Sequence, residues 1–270
     1  MASVISVDEV ARQAAELRED VTESRLLALA GGRPLLSLRG LRAGYGNMEI
    51  LHGLTLHLAH AQSLCLIGPN GAGKSTVLHA LFGFARVLSG AISIDGRDIT
   101  RLGPERKLAE AGIAYVLQDK SVFPDMSVEE NLLMGGYLLR SPAKARVAAE
   151  RVFAKYDRLA ARRRHKARVL SGGERRLLEI SRALVMDPQV LLVDEPSIGL
   201  EPRFIDMVFE ILSDLQSREG KTIVMVEQNA KKGLEFADIG YVLVAGEVAL
   251  AGTGRELLAN PEVGKLFLGG

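Results

Sequence analysis

The 270-residue chain has a single cysteine, Cys65. No internal disulfide can form. A lone thiol within the short apolar run Ser63-Leu64-Cys65-Leu66-Ile67 is expected to pack as a small apolar side chain. Such usage suits a reducing compartment. Excess charge of either sign is also missing: 34 Lys and Arg face 33 Asp and Glu, leaving a net charge of +1. No global field therefore draws the chain to nucleic acid. No stretch of 18 consecutive apolar residues occurs, so the chain is not expected to cross a membrane itself. The N-terminus lacks a basic region followed by an apolar one, and no secretory leader is expected. His52, His57, His60 and His79 have no companion Cys or carboxylate at metal spacing, so no zinc site is read. What the chain does have is 47% hydrophobic residues, enough for the core of one large domain or two small ones.

The chain is organised around Gly68-Pro69-Asn70-Gly71-Ala72-Gly73-Lys74-Ser75-Thr76. Gly68 to Ser75 read as G-x-x-x-x-G-K-S. A strand-like run precedes this motif, and Val77-Leu78-His79-Ala80-Leu81-Phe82 after it favours a helix. Strand, glycine-rich turn and helix together form the context of a triphosphate site. Gly71 and Gly73 keep β-carbons away, so backbone N–H groups can point inward as an anion nest. The new helix adds unpaired N–H groups and the positive end of its dipole. Lys74 supplies a mobile charge for the β- and γ-phosphates, and Ser75 a hydroxyl for Mg²⁺.

Around this motif the pattern alternates. Residues 1–33 form an N-terminal extension, helical or disordered. Val7, Val10, Ala14, Leu17 and Val21 step by three and four, and Gly31-Gly32-Arg33-Pro34 stops the pattern. This segment reads as a frayed surface helix or loose tail. Residues 34–270 form the main domain. Strands are expected at Leu35–Leu38, Leu54–Leu58, Ala91–Ile94, Ile113–Leu117, Val190–Val193 and Thr222–Val226. Asp95-Gly96 and Ala245-Gly246 mark hairpin turns. Residues 125–186 read as mostly helical, with Ala143 to Ala161 rich in Ala, Arg and Lys, and the helical subdomain is placed at about 121–186. Alternating strands and helices imply a mainly parallel sheet.

Two further segments carry chemistry. The run from Val190 ends in the paired carboxylates Asp194-Glu195, and ligands of α/β sheets collect at the carboxyl ends of strands. Asp194 fits a Mg²⁺ role, and Glu195 fits the base that orients or deprotonates an attacking water. Ser171-Gly172-Gly173-Glu174 reads first as a capping box that starts a helix. Its two glycines also make a second exposed anion nest.

In these segments and their order the chain resembles the ATP-binding cassette ATPases, over roughly residues 35–260. The resemblance implies an α/β fold: a P-loop NTPase with a mainly parallel core sheet, an antiparallel β subdomain and an inserted α-helical subdomain. It implies that Tyr45 stacks on adenine, that Gly68–Thr76 are the Walker A loop, and that Gln118 is the Q-loop glutamine at the nucleotide and its Mg²⁺. It makes Ser171–Glu174 the signature that serves a second chain's nucleotide, Asp194 and Glu195 the Walker B pair, and Ser197–Glu201 the D-loop. Gln228 stands where most of the family has histidine. A neutral amide can still donate to a phosphate oxygen, but it cannot become cationic. Glu174 and Glu201 stand where the family has Gln and Asp.

Leu51-His52-Gly53-Leu54, Val128–Leu132 with Gly135-Gly136, Glu195–Leu200 and Val226–Asn229 look like the ATPase subunits of branched-chain amino acid and urea importers. What this implies is an ATP hydrolase using ATP and Mg²⁺, with Lys74, Gln118, Glu195 and Gln228 in the reaction. Its partners would be membrane permease subunits, a second cassette subunit and, indirectly, a solute-binding protein, with no nucleic acid. It would sit on the cytoplasmic face of the cell membrane. Val122 and Phe123 are expected to line a groove for a short permease helix. Arg162–Lys166 with Arg168 reads as a solvated helix end. Two rival readings are a soluble cassette ATPase acting on nucleic acid, disfavoured by the balanced charge and single motif set, and a non-hydrolysing regulator, disfavoured by the presence of Glu195.

Overall fold

The computed structural model describes residues 21–118 and 121–267. Two sheets divide the work. The first is antiparallel, with β1 (Leu36–Tyr45), β2 (Met48–Leu58), β4 (Arg86–Ile94) and β5 (Arg97–Asp98) in the order β2-β1-β4-β5. The second contains β3 (Ser63–Ile67), β6 (Ile113–Val116), β7 (Val190–Asp194), β8 (Thr222–Val226), β9 (Ile239–Val244) and β10 (Glu247–Thr253). Its order is β10-β9-β3-β8-β7-β6, parallel throughout except for the β9–β10 hairpin. The order of these strands makes the mainly parallel core sheet of the sequence reading.

The strands of this sheet are apolar on both faces because both faces are covered. Leu64, Leu66, Val190, Leu192, Val224 and Val226 join one core, shared with the antiparallel sheet and α2 (Lys74–Phe82). Their alternates Cys65, Ile67, Leu191, Val193, Ile223 and Met225 join a second core. Against that second core pack α8 (Pro202–Ser217), α9 (Ala230–Phe236), α10 (Gly254–Ala259) and α11 (Pro261–Phe267). Cys65 is fully buried there, as an apolar side chain would be. Both hairpin turns use two residues with positive φ, Asp95 (47°) with Gly96 (76°) and Ala245 (47°) with Gly246 (77°), the backbone twist that tight hairpins need.

A third core holds the inserted helices: α4 (Val128–Gly135), α5 (Pro142–Lys155), α6 (Asp157–Ala161) and α7 (Gly172–Leu184). The helix α3 (Pro104–Ala111) lies before β6. The stretch from Ala143 to Ala161 is not one helix. It breaks at Tyr156 (φ −124°, ψ 88°), whose ring packs on the third core while Leu159 of the next turn is fully buried. The basic run follows α6 as turns and is partly paired: Arg163 bridges Glu129 and Glu150, and Arg168 meets Asp125.

At the N-terminal end, α1 (Glu23–Leu29) is capped by Thr22. Its Leu26 is buried in the first core, the following Ala30 is buried too, and Leu29 O accepts from Gln62 Nε2 at 2.9 Å. The frayed end expected of the N-terminal segment is therefore not what residues 22–30 form. The residues of its stripe from Val7 to Leu17 lie outside the described residues. No helix among the described residues is long and apolar enough to cross a membrane.

Candidate nucleotide site

The phosphate loop hangs between β3 and α2. Gly68 has φ 146°, and a β-carbon there would lie 2.1 Å from Leu243 O, so only glycine allows the loop to leave the sheet at this point. Gly71 (φ 81°) and Gly73 (φ 94°) turn the backbone, and Gly73 is the N-cap of α2. Pro69 O accepts from Ala72 N at 3.2 Å, and Ala72 O accepts from Gly246 N at 3.0 Å, which ties the loop to the β9–β10 turn. The Lys74 ammonium donates to Gly68 O and Pro69 O, both at 2.9 Å. Burial pushes its pKa down, and the Glu195 and Asp194 charges oppose that.

A cleft of about 280 Å³ opens over the loop, lined among others by Tyr45, Asn70, Gly71, Lys74, Ser75 and Glu195. Gly73 and Thr76 line it too. Tyr45, at the end of β1, is 42% exposed. Its hydroxyl shares a hydrogen bond with His79 Nδ1, and the two rings meet edge to face.

The carboxylate pair lies beside this loop because β7 ends there. Asp194 Oδ1 accepts from Ser75 Oγ at 3.2 Å, and Oδ2 accepts from Tyr115 OH at 2.8 Å. Both donors are neutral, so neither neutralises the Asp194 charge. A hard cation held by Ser75 Oγ and Asp194 fits that donor set. Glu195 takes φ 42°, a left-handed backbone unusual for a glutamate, and its N–H donates to Val226 O at 2.9 Å. Glu195 Oε2 accepts from Gln118 Nε2 at 2.8 Å. Burial raises the pKa of Glu195, the Asp194 charge adds to this, and Lys74 opposes it. A carboxylate with a raised pKa, next to a phosphate-binding loop, has the makings of a general base.

Sequence reasoning missed two residues here. Tyr115 stood only as part of a strand, and its hydroxyl role depends on β6 pairing with β7. Glu227 is 1% exposed and accepts from Ser197 Oγ (2.7 Å), Ser197 N (3.3 Å) and Asn229 N (2.9 Å). It joins the segment after Glu195 to the segment that carries Gln228. Gln228 itself is exposed and is not among the residues lining the cleft.

Ser171–Glu174 form the expected capping box at the start of α7. Ser171 Oγ accepts from Glu174 N at 3.3 Å, and Glu174 Oε2 accepts from Ser171 N at 2.9 Å. Gly173 is fixed by packing, since a β-carbon there would fall 2.2 Å from the Phe204 ring on α8. Ser171 and Gly172 are exposed, and none of the four residues lines the cleft over their own chain's phosphate loop.

Between the inserted helices and the core lies a second cleft of about 350 Å³, lined by residues that include Phe82, Leu117, Ser121, Met134, Glu179 and Arg182. Neither Val122 nor Phe123 lines it, contrary to expectation; the Val122 side chain packs against the helical core, so it anchors its loop. Phe123 stays 42% exposed, with the Arg182 guanidinium 5.0 Å from its ring centre. The buried Asn131 stitches this loop: its Oδ1 accepts from Phe123 N at 2.8 Å, and its Nδ2 donates to Phe123 O at 3.0 Å and Ser127 O at 2.9 Å.

A family model described as ABC transporter matches residues 51–198. The high-affinity branched-chain amino acid transport ATP-binding protein BraG of Pseudomonas aeruginosa is 40% identical over 236 residues, covering 87% of this chain and all of that protein. The lipopolysaccharide export system ATP-binding protein LptB of Haemophilus influenzae is 31% identical, covering 87% of this chain and 97% of that one. Among solved structures, the ADP conformation of MJ1267, an ATP-binding cassette of an ABC transporter, superposes with a TM-score of 0.77 at 27% identity, over 88% of this chain and 99% of that one. With its phosphate loop, its paired carboxylates and these relatives, the chain belongs to the ABC transporter family, as one of its ATP-binding and ATP-hydrolysing cassettes.

Proposed function

We propose that the chain is the ATPase subunit of a membrane importer for branched-chain amino acids or a solute of similar kind, docked on the cytoplasmic face of permease subunits. The observation that carries the catalytic part is the grouping of Lys74, Ser75, Asp194, Glu195 and Gln118 at one loop. ATP lies over Gly68–Thr76, with its phosphates on the loop N–H groups and Lys74 and its adenine against Tyr45. Mg²⁺ would be held by Ser75 and Asp194, with Gln118 beside it, and supplies charge neutralisation for the β- and γ-phosphates when bound. Glu195 takes the proton of the attacking water, and Gln118 orients that carboxylate. Gln228 donates an amide N–H to the transferring phosphoryl group once the cleft is closed.

Closure needs a second cassette. Ser171 and Gly172 are exposed, and the Ser171–Glu174 segment lies away from its own chain's cleft, so two chains would bury two ATP molecules between them. The free energy of closure is the differential affinity of ATP for the closed over the open pair. Hydrolysis removes the ligand that both nests share, and the pair reopens.

The permease is proposed to seat a short helix in the 350 Å³ cleft beside Phe123, the helix-in-groove mode of recognition. The solute class rests on similarity to BraG. The similarity to LptB supports a second reading, export of a lipid-linked cargo. Reconstitution with the co-purifying permease separates them: uptake of leucine into right-side-out vesicles loaded with ATP is the expected result, and stimulation only by an outward cargo would favour the second. Phe123→Asp should abolish permease co-purification and uptake while isolated ATPase activity stays within about 2-fold, because affinity concentrates in a few buried anchors. Unimpaired assembly would contradict the docking site.

A further inference from the structure

Arg176 is an internal cation that the ATPase chemistry does not account for. It lies on α7, five residues beyond Ser171, and is 5% exposed. Its Nη1 donates to Leu117 O at 2.8 Å and to Glu179 Oε2 at 2.8 Å. Its Nη2 donates to Asp194 O at 3.1 Å. Its Nε has no hydrogen-bond partner. Burying a guanidinium with one orphaned donor is costly, and a pair of apolar residues would fill the same space at less expense. What the arginine achieves is geometric. Leu117 and Asp194 immediately precede Gln118 and Glu195, and the side chains of those two residues are themselves hydrogen-bonded at 2.8 Å. One planar fork thus holds the backbone on both arms of the Gln118–Glu195 pair.

The helix that carries the fork belongs to two bodies at once. Leu177 and Leu178 pack in the helical core, and Ile180 packs in the core beneath the parallel sheet. Glu179, one turn along α7 and 8% exposed, takes one edge of the guanidinium and fixes its plane. Any shift of α7 is therefore transmitted through Arg176 to the carbonyls next to the reacting groups.

We infer that Arg176, oriented by Glu179, is a positioning residue that locks the Gln118–Glu195 pair to the signature helix, so that the catalytic carboxylate takes its working place only when that helix does. The inference rests on the reading of Glu195 as the catalytic base. It gives the Ser171–Glu174 segment a second task, because whatever that segment binds across the interface is felt at Glu195 of its own chain.

The test compares three variants by steady-state ATPase, fluorescent-nucleotide affinity and thermal melting. In R176M/E179L the buried pair is replaced by apolar side chains of similar size, so the fold is kept. Turnover should fall by about 10-fold or more with KM for ATP within about 2-fold, the signature of an interaction needed only at the chemical step. R176K keeps the charge but loses the planar fork and can hold only one of the two carbonyls, so it should recover turnover only in part. E179Q keeps the fork and loses its orienting charge, and it should lie between the double variant and wild type. In the E195Q background, R176M/E179L should bring no further loss, since both act on one group.

Wild-type turnover in folded R176M/E179L would overturn the inference. So would a rise in KM at unchanged turnover, or an R176K protein with wild-type turnover, since it has no fork. If R176M/E179L does not melt cooperatively, E179Q decides: wild-type turnover there overturns the inference, and a several-fold loss at unchanged KM and melting temperature supports it. E195Q alone separates the two layers. An active E195Q would remove the base assignment itself, whereas an inactive E195Q beside an unimpaired R176M/E179L would remove only the role of Arg176.

Discussion

Glu195 shows how a single residue depends on several levels of the fold. The sequence places it one position past the end of a buried strand. The structure adds a left-handed backbone, a hydrogen bond from Gln118 and an environment that raises its pKa through burial and the Asp194 charge. The sign of the pH effect follows. A base must be ionised to accept a proton, so turnover should fall as pH drops through the pKa of Glu195. Because that pKa lies above the ordinary 4.5, the loss should begin at higher pH than for an unperturbed glutamate. The acid limb of kcat measures this, and Glu195→Gln should lower kcat by about 10²-fold or more and remove the limb. An acid limb unchanged in a still-active Gln variant would contradict the assignment. Glu195, Lys74 and Ser75 could be read from the sequence because their chemistry is local to a motif. Tyr115, Glu227 and Arg176 could not, because each acts on a partner that is distant in sequence and is brought near only by strand pairing or helix packing.

At the scale of elements, hydrophobic alternation was a good guide where both faces of a strand are buried, as in β3, β7 and β8, and glycine marked both hairpin turns. It was weaker for the inserted helices. Composition alone does not reveal that Tyr156 turns inward and divides one helical stretch into two. Nor does it show that the end of the N-terminal segment docks through Leu26. The helix behind the phosphate loop offers a test of its own. Lys107, on α3, is fully buried and donates from Nζ to Ala80 O near the C-terminal end of α2, at 2.9 Å. Burial lowers its pKa from 10.5 to about 8. Between these values the unfolded chain binds a proton that the folded chain does not, so this residue makes stability rise with pH across that window and level off below it. Lys107→Met should abolish that rise. Urea denaturation from pH 7.5 to 10.5, comparing the two proteins, checks the sign; equal slopes would show that Lys107 titrates normally.

At the scale of the whole molecule, the phosphate loop and the Ser171–Glu174 nest of one chain are proposed to serve different nucleotides. That arrangement is invisible to any pairing within the chain. It explains why a segment so well defined by its own capping box contributes nothing to the cleft beside it. The central claim is that each ATP is hydrolysed between the phosphate loop and Glu195 of one chain and the signature of another. Mixing two inactive proteins measures this directly. Ser171→Arg spoils the nest, Glu195→Gln spoils the base, and each alone should release phosphate at a small fraction of the wild-type rate. A mixed pair contains one site with an intact base from the first protein and an intact nest from the second. Phosphate release by the equimolar mixture should therefore recover to roughly a quarter of wild type, since half of randomly formed pairs carry one whole site out of two. A mixture no more active than its components, under conditions where the two proteins are shown to pair, would contradict the account.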